Sequence, residues 1–293
     1  MKVKELRDIL SKIPKDKLLN LTVECYKLIP KAQKETAALD DYIKTSVCKK
    51  SKAPRVEMAL VDLEQEINQF ITDVRNQDYL YPNEKVLKRE RSAWRSKVKR
   101  WGKALTKKNR VEVNIPKQVE LLIKLYQILC ESFVYEYFSA YDAFQSVGIK
   151  QVSFYRNILK LLQKIENDEW KITQAITLIV NNPLNTYTLY SDLIIQLVKS
   201  LRTKHYYEKA IAITNKLMIE NNFDFNKTGN AAGELFSENE VFTKEEKHNN
   251  LVELLYRLHA KNSNYTKAIN CYKKYYYCLN EEIKLYVLVR LLF

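Results

Sequence analysis

The densest run of chemistry-bearing side chains lies between Lys85 and Arg110, where Lys85, Lys88, Arg89, Arg91, Arg95, Lys97, Lys99, Arg100, Lys103, Lys107, Lys108 and Arg110 are countered by one acid, Glu90. That segment holds eleven of the fourteen net positive charges of the 293-residue chain, so the remainder is nearly balanced. Side chains of this sign and density neutralise anions, either nucleic-acid phosphates or an acidic protein surface. Arg89, Arg91, Arg95, Lys99, Arg100 and Lys103 are the candidate anion-binding or nucleic-acid-binding residues. No Asn or Gln is interleaved among them, so the expected contact is with backbone phosphate and not with base edges.

Other chemistry lacks the necessary spacing. His205, His248 and His259 are far apart and form no His-x-x-x-His or Cys-His arrangement, which leaves metal hydrolysis and nucleophile-His catalysis without a basis. Gly102, Gly148, Gly229 and Gly233 make neither a P-loop nor a dinucleotide fingerprint. The neighbouring acids Asp40-Asp41, Asp168-Glu169, Glu245-Glu246 and Glu281-Glu282 would point about 100° apart on a helix, and they suit helix starts, where the dipole favours negative charge. Cys25, Cys48, Cys130, Cys271 and Cys278 are odd in number and scattered, without a Cys-x-x-Cys, so reduced thiols are expected. Cys271 and Cys278, seven apart, read as two buried small residues on one helix face. A non-enzymatic protein follows, with no catalytic, cofactor-binding or metal-binding residue and no cofactor.

The elements that must position the basic residues are helical. Only four Gly and six Pro are present, too few for the turns of a many-stranded sandwich, so the expected fold class is all-α, built of helical hairpins. At 100° per residue, Trp94, Val98, Trp101 and Leu105 all fall within about 40° of Leu87, which predicts a basic helix over about 85–110 that buries two indoles and turns its cations outward. The same helix could instead be a solvated face whose charges pair elsewhere. Docking on an anionic membrane is disfavoured because the narrow apolar stripe is needed for the core.

The segment before it is the natural internal competitor. Between Val56 and Asp78 stand six acids (Glu57, Asp62, Glu64, Glu66, Asp73, Asp78) and one base, Arg75, on a helix whose seam is Val56, Leu60, Leu63, Ile67, Phe70 and Val74. The two predict a helical hairpin with its turn at Asp78–Asn83, and a hairpin that neutralised itself would weaken the anion-binding reading. Upstream, helices are expected over Val3–Ile13, Lys15–Ile29 and Lys31–Ile43, broken at Pro14 and Pro30, with Leu18, Leu21, Cys25 and Leu28 on one stripe. Residues 44–54 read as a loop and 110–116 as an extended linker, so the expected regions are 1–115 and 117–293. Lys117 to about Tyr137 reads as a long amphipathic helix. It ends in the aromatics Tyr135, Tyr137, Phe138, Tyr141 and Phe144, which are expected to pack and not to stack bases.

The C-terminal half shows an internal repeat. Trp170-Lys171-Ile172-Thr173-Gln174-Ala175-Ile176, Tyr206-Tyr207-Glu208-Lys209-Ala210-Ile211 and Asn264-Tyr265-Thr266-Lys267-Ala268-Ile269 each place a large residue, two polar residues, Ala and Ile in one order. The first two are 35 residues apart and the third follows after 58, the excess falling in a polar stretch over about 222–247 that reads as an insertion loop. These segments resemble tetratricopeptide-type repeats, best in the third copy, where Tyr265, Ala268 and Tyr272 stand at the family's spacing. Tyr256 and Val198 stand where that family carries Gly or Ala, and Thr214 replaces an aromatic. The resemblance spans about Phe154–Leu279. It implies an α-solenoid or irregular bundle of stacked hairpins, with a groove for a peptide or partner protein and a closing helix over Ile283–Leu292.

In the N-terminal part, Lys4-Glu5-Leu6-Arg7-Asp8-Ile9-Leu10, Lys17-Leu18-Leu19-Asn20-Leu21, Cys25-Tyr26-Lys27-Leu28 and the run Arg91–Arg100 resemble an uncharacterised family of bacterial helical proteins, a resemblance that implies a fold and no activity. No window approaches eighteen uncharged apolar residues and Met1–Arg7 lacks the features of a secretory signal, so a cytoplasmic protein with no membrane contact is expected. The expected function is that of a binding or adaptor protein holding a protein or peptide partner in the repeat groove; the alternative is DNA or RNA bound through the basic helix.

Overall fold

The computed structural model describes residues 3–36, 39–41, 43, 59–81, 83, 85–107, 114–221 and 238–292, and among them none is in a strand. The protein is all-α, as composition predicts. Its chain divides into two compact units, residues 1–56 and 57–293.

The first unit holds α1 (Val3–Leu10), α2 (Lys15–Leu28) and α3 (Lys31–Thr36). The breaks fall at Pro14 and Pro30 as expected. Pro14 takes an extended ψ of 145° at the start of α2, and Ile29, preceding the second proline, is extended at ψ 124°. The stripe on α2 is not a core seam, because no residue of that helix is buried and Leu28 is 82% exposed.

In the second unit the acidic segment folds as α4 (Leu60–Arg75), with Leu60, Leu63, Ile67, Phe70 and Val74 buried as the seam predicts; Val56 lies outside the described residues. The basic helix, α5, spans only Trp94–Thr106. Residues 85–93 are turns and bends instead, and Leu87 is exposed. They are held by local hydrogen bonds: the Val86 N–H donates to the Asp78 carbonyl at 3.2 Å, and Arg91 Nε donates back to the Val86 carbonyl at 3.1 Å. This tether to the end of α4 prevents the helix from starting at Lys85. Lys108 and Arg110 lie outside the described residues.

α6 (Ile115–Glu131) is the hub. Asn114 caps it, accepting from the Lys117 N–H at 3.1 Å, and Pro116 occupies its first turn. The segment expected to be a linker therefore ends in a helix start, while 108–113 lie outside the described residues. α4, α5, α7 (Ala143–Val147) and α8 (Gln151–Leu162) all pack on α6, so the boundary expected near residue 115 runs through one packed unit. Of the aromatic cluster, Tyr137, Phe138 and Phe144 are buried, whereas Tyr135 and Tyr141 are exposed.

After α8 come α9 (Asp168–Val180), α10 (Tyr190–Ser200), α11 (Lys204–Asn221), α12 (Glu238–Lys261) and α13 (Tyr265–Tyr275). α8 packs on α10 and α10 on α12, α9 packs on α11, and α12 packs closely on both α11 and α13. The repeated alanines, Ala175, Ala210 and Ala268, are all buried. α14 (Glu281–Leu292) closes the end, its Leu288 joining Val252, Tyr256, Ala268 and Tyr272 in a small core. The expected insertion loop is shorter than its composition implies. Residues 238–247 belong to α12, because Glu and Lys are strong helix formers and together favour a helix over a loop; residues 222–237 lie outside the described residues. Cys271 and Cys278 do not share a helix, since α13 ends at Tyr275.

Candidate functional site

The face that α5 turns to solvent is set by the face it buries. Trp94, Val98, Trp101 and Leu105 are each at most 2% exposed. Trp94 stacks on Phe138 with ring centroids 4.0 Å apart, and Trp101 sits 5.3 Å from Phe70 of α4. Trp101 Nε1 donates to Glu66 Oε2 at 2.7 Å, which satisfies the one polar atom of an otherwise enclosed indole. Two anchored indoles one pair of turns apart leave the helix no freedom to roll about its axis.

The opposite face follows from the helical period. Arg95, Lys99 and Lys103 recur every four residues, in steps of about 6 Å, and make one exposed stripe. None of the three forms an ion pair among the described residues. The Arg95 guanidinium lies over the Trp94 ring at 5.9 Å, and Lys99 Nζ lies near Gly148, 3.6 Å from where a Cβ there would stand. Gly148 has φ +72°, the left-handed turn that ends α7.

The other sequence-assigned residues are placed differently. Arg100 turns toward α4, where its Nη2 donates to Glu66 Oε2 at 2.7 Å. Arg91 folds onto its own turn, and the exposed Arg89 lies 3.4 Å from Glu90. The structure thus brings together Arg95, Lys99 and Lys103 and separates from them Arg89, Arg91 and Arg100.

Among the described residues the acidic segment neutralises the basic one at two ion pairs, Glu66 with Arg100 of α5 and Asp78 with Lys85 at 3.2 Å. Of the α4 acids, Glu66 meets α5, Glu64 pairs with Lys117 of α6 at 2.6 Å, and Asp73 accepts from Gln69 within its own helix. Between Glu64 and Glu120, Lys117 is held above the usual lysine range. The expected tight hairpin is also open: α4 and α5 share α6 as a floor and leave between them a cleft of about 400 Å³ lined by Glu66, Gln69, Asp73, Tyr79 and Lys97. Glu66 is the residue that sequence reasoning could not assign. Its only signal is a position beside the seam residue Ile67, one of six acids with the same claim.

Two further openings flank α10. One, of about 270 Å³, lies among α8, α9, α10 and α11 over Leu159, Leu162, Ile172 and Leu197, with Lys171 and Arg202 in its wall. The other, of about 320 Å³, lies among α10, α12, α13 and α14 over Ile195, Val198, Tyr256 and Tyr265, with Lys199, Arg257 and Lys261. Both sit where α8, α10 and α12 end and the chain turns into the next helix. Lys171 donates to Asp168 at 2.6 Å, and with Lys209 it holds that carboxyl down at about 2.

The histidines do not converge. His205 is exposed on α11, whereas His248 is buried in α12 with its Nε2 2.7 Å from the Tyr275 carbonyl, and His259 lies further along α12. No group of three His, Cys, Asp or Glu side chains placed to hold a metal occurs among the described residues, and no described helix is long and apolar enough to cross a membrane. No protein-family model matches the chain, and neither curated proteins nor solved structures include a similar one.

Proposed function

We propose that this chain is a binding protein that contacts the phosphate backbone of nucleic acid through α5, without catalysis. The observation that carries this reading is the Arg95–Lys99–Lys103 stripe, exposed and free of ion pairs among the described residues, on a helix whose rotation two buried indoles fix. A surface held rigidly loses little side-chain and backbone freedom on binding, and three cations on one line displace counterions together. The outward face offers Arg, Lys and Ser but no Asn or Gln, so the binding is indifferent to base sequence.

The test is fluorescence anisotropy with short duplex DNA and RNA across a salt series, using the full chain and its Arg95→Gln, Lys99→Gln, Lys103→Gln triple variant. The three phosphate contacts of the stripe give a log–log salt slope of about −2.7 on duplex DNA, and the triple variant removes most of it. No binding at low salt, or binding unchanged in the variant, rejects the reading and assigns the stripe to an acidic protein or to solubility.

The second reading, a protein partner held by the tetratricopeptide-like pairs, is supported by the two openings beside α10. The readings are compatible in one chain, with α5 recruiting and the helical pairs tethering.

A further inference from the structure

We propose that the end of the second unit around the C-terminus of α10 docks an acidic, amphipathic segment of a partner protein, seating one apolar side chain in each of the two openings. This rests on the second reading above and names the chemistry of the partner.

Charge is the first argument. Five cations line the two openings, Lys171 and Arg202 on one side of α10 and Lys199, Arg257 and Lys261 on the other, and no Asp or Glu lines either. Lys171 and Arg257 are held by Asp168 at 2.6 Å and by Glu253 at 2.7 Å. Lys199, Arg202 and Lys261 are exposed and have no ion pair among the described residues. By contrast the α4–α5 cleft carries Glu66 and Asp73 in its wall, so an acid-free lining is not general to this protein. Helix C-termini favour cations for their own dipole, but that effect does not call for an apolar floor open beside them.

The apolar floor is the second argument. At the first position of the repeated motif Ile172 and Tyr207 are buried, whereas Tyr265 is 62% exposed and forms part of the second opening. The third copy therefore keeps a large aromatic where the core does not take it up. An exposed ring beside three cations suits a ligand that carries both an apolar side chain and carboxylates.

Geometry supplies the spacing. The two floors lie on opposite sides of α10 and are separated by about the 10 Å width of a helix. A polyproline-II chain advances about 3.1 Å per residue with three residues per turn, so two anchors on one face stand three residues and about 9 Å apart, with acids between and beside them.

The test uses fluorescein-labelled peptides and the full chain: Glu-Leu-Asp-Glu-Leu-Asp as the probe, the same peptide with Lys for each acid, and the same with Ser for each Leu. The acidic amphipathic probe binds, the Ser peptide binds more weakly, and the basic peptide does not bind. Lys199→Glu, Arg202→Glu and Lys261→Glu together weaken the acidic probe by about tenfold, since all three are rim charges screened by solvent. Tyr265→Ala weakens it as well, and the Gln triple variant of α5 leaves it unchanged. All substituted side chains are exposed, and thermal melts check that the variants keep the fold. Equal binding of the basic peptide, or acidic binding indifferent to the charge reversal, overturns the acidic-partner proposal while leaving the protein-partner reading standing. Failure of every peptide to bind removes both.

Discussion

Glu66 governs how much of the α5 charge reaches solvent, because one carboxylate oxygen accepts from both Trp101 Nε1 and Arg100 Nη2. The two contacts differ in weight. Arg100 and Glu66 are both substantially exposed, so their ion pair contributes at most about 1 kcal/mol, whereas Trp101 is enclosed and an unpaired indole N–H there costs about 1–3 kcal/mol. Glu66→Ala is therefore expected to lower stability by about 1–3 kcal/mol in urea unfolding, and to strengthen binding to duplex DNA by releasing Arg100, with the salt slope steepening by about 0.9. A loss of stability with no gain in affinity means that Arg100 does not reach the ligand. Truncating either indole tests the anchoring directly: Trp94→Ala or Trp101→Ala is expected to cost about 3–5 kcal/mol, read as a fall in thermal midpoint. The residue types at this site are legible in the sequence, since a single-sign run on an apolar stripe points to an outward cationic face. Which cations remain available is not legible, because it depends on where one acid of the preceding helix lands.

The seam of α4 and the stripe of α5 emerge from periodicity, because each buries one face against α6. Features that join three elements at one residue have no period. Gln151 is the clearest case: fully buried at the start of α8, its Nε2 donates to Tyr126 Oη at 3.2 Å and to the Pro183 carbonyl at 3.1 Å, while its Oε1 accepts from the Asn185 N–H at 2.9 Å. It ties α6 to α8 and to the chain between α9 and α10. Gln151→Leu fills the volume but leaves these partners unmet, so a loss of about 1–3 kcal/mol in chemical denaturation is expected. α5 starts later than its composition predicts for a related reason, since the basic run continues through 85–93 while a tether to Asp78 stops the helix. On α12, burial pushes the pKa of both His248 and His259 below the usual histidine value, with Lys267 adding to the effect at His259. A depressed folded-state value means the unfolded chain takes up protons first. Stability is full above about pH 6.5 and falls as the pH drops below it. Urea midpoints at pH 7 and pH 5 should show that decline, and the His248→Gln, His259→Gln double variant should flatten it; a decline of equal size in the double variant assigns it to other groups.

Across the molecule, the α5 stripe and the α10 openings sit on one packed unit. From α5 the path runs through α6 and α8 to α10, and three helix-to-helix steps of about 8–10 Å allow up to roughly 25–30 Å between the two cationic regions. No shared side chain links them, so any coupling travels through the field. That makes salt the variable that separates one extended anion-binding surface from two independent ones. At 0.15 M ionic strength the Debye length is about 8 Å, well short of the separation, whereas at 0.01 M it is about 30 Å and spans it. Near physiological salt, charge reversal at Lys199, Arg202 and Lys261 should leave duplex DNA affinity unchanged, and the Gln substitutions in α5 should leave acidic-peptide affinity unchanged. At 0.01 M each set should weaken the other ligand severalfold by lowering the long-range positive potential. Anisotropy titrations of both ligands against both variants at the two salt concentrations make the comparison. Cross-effects that persist at 0.15 M mean that a single polyanion path runs from α5 to α10, and the two surfaces are then parts of one site.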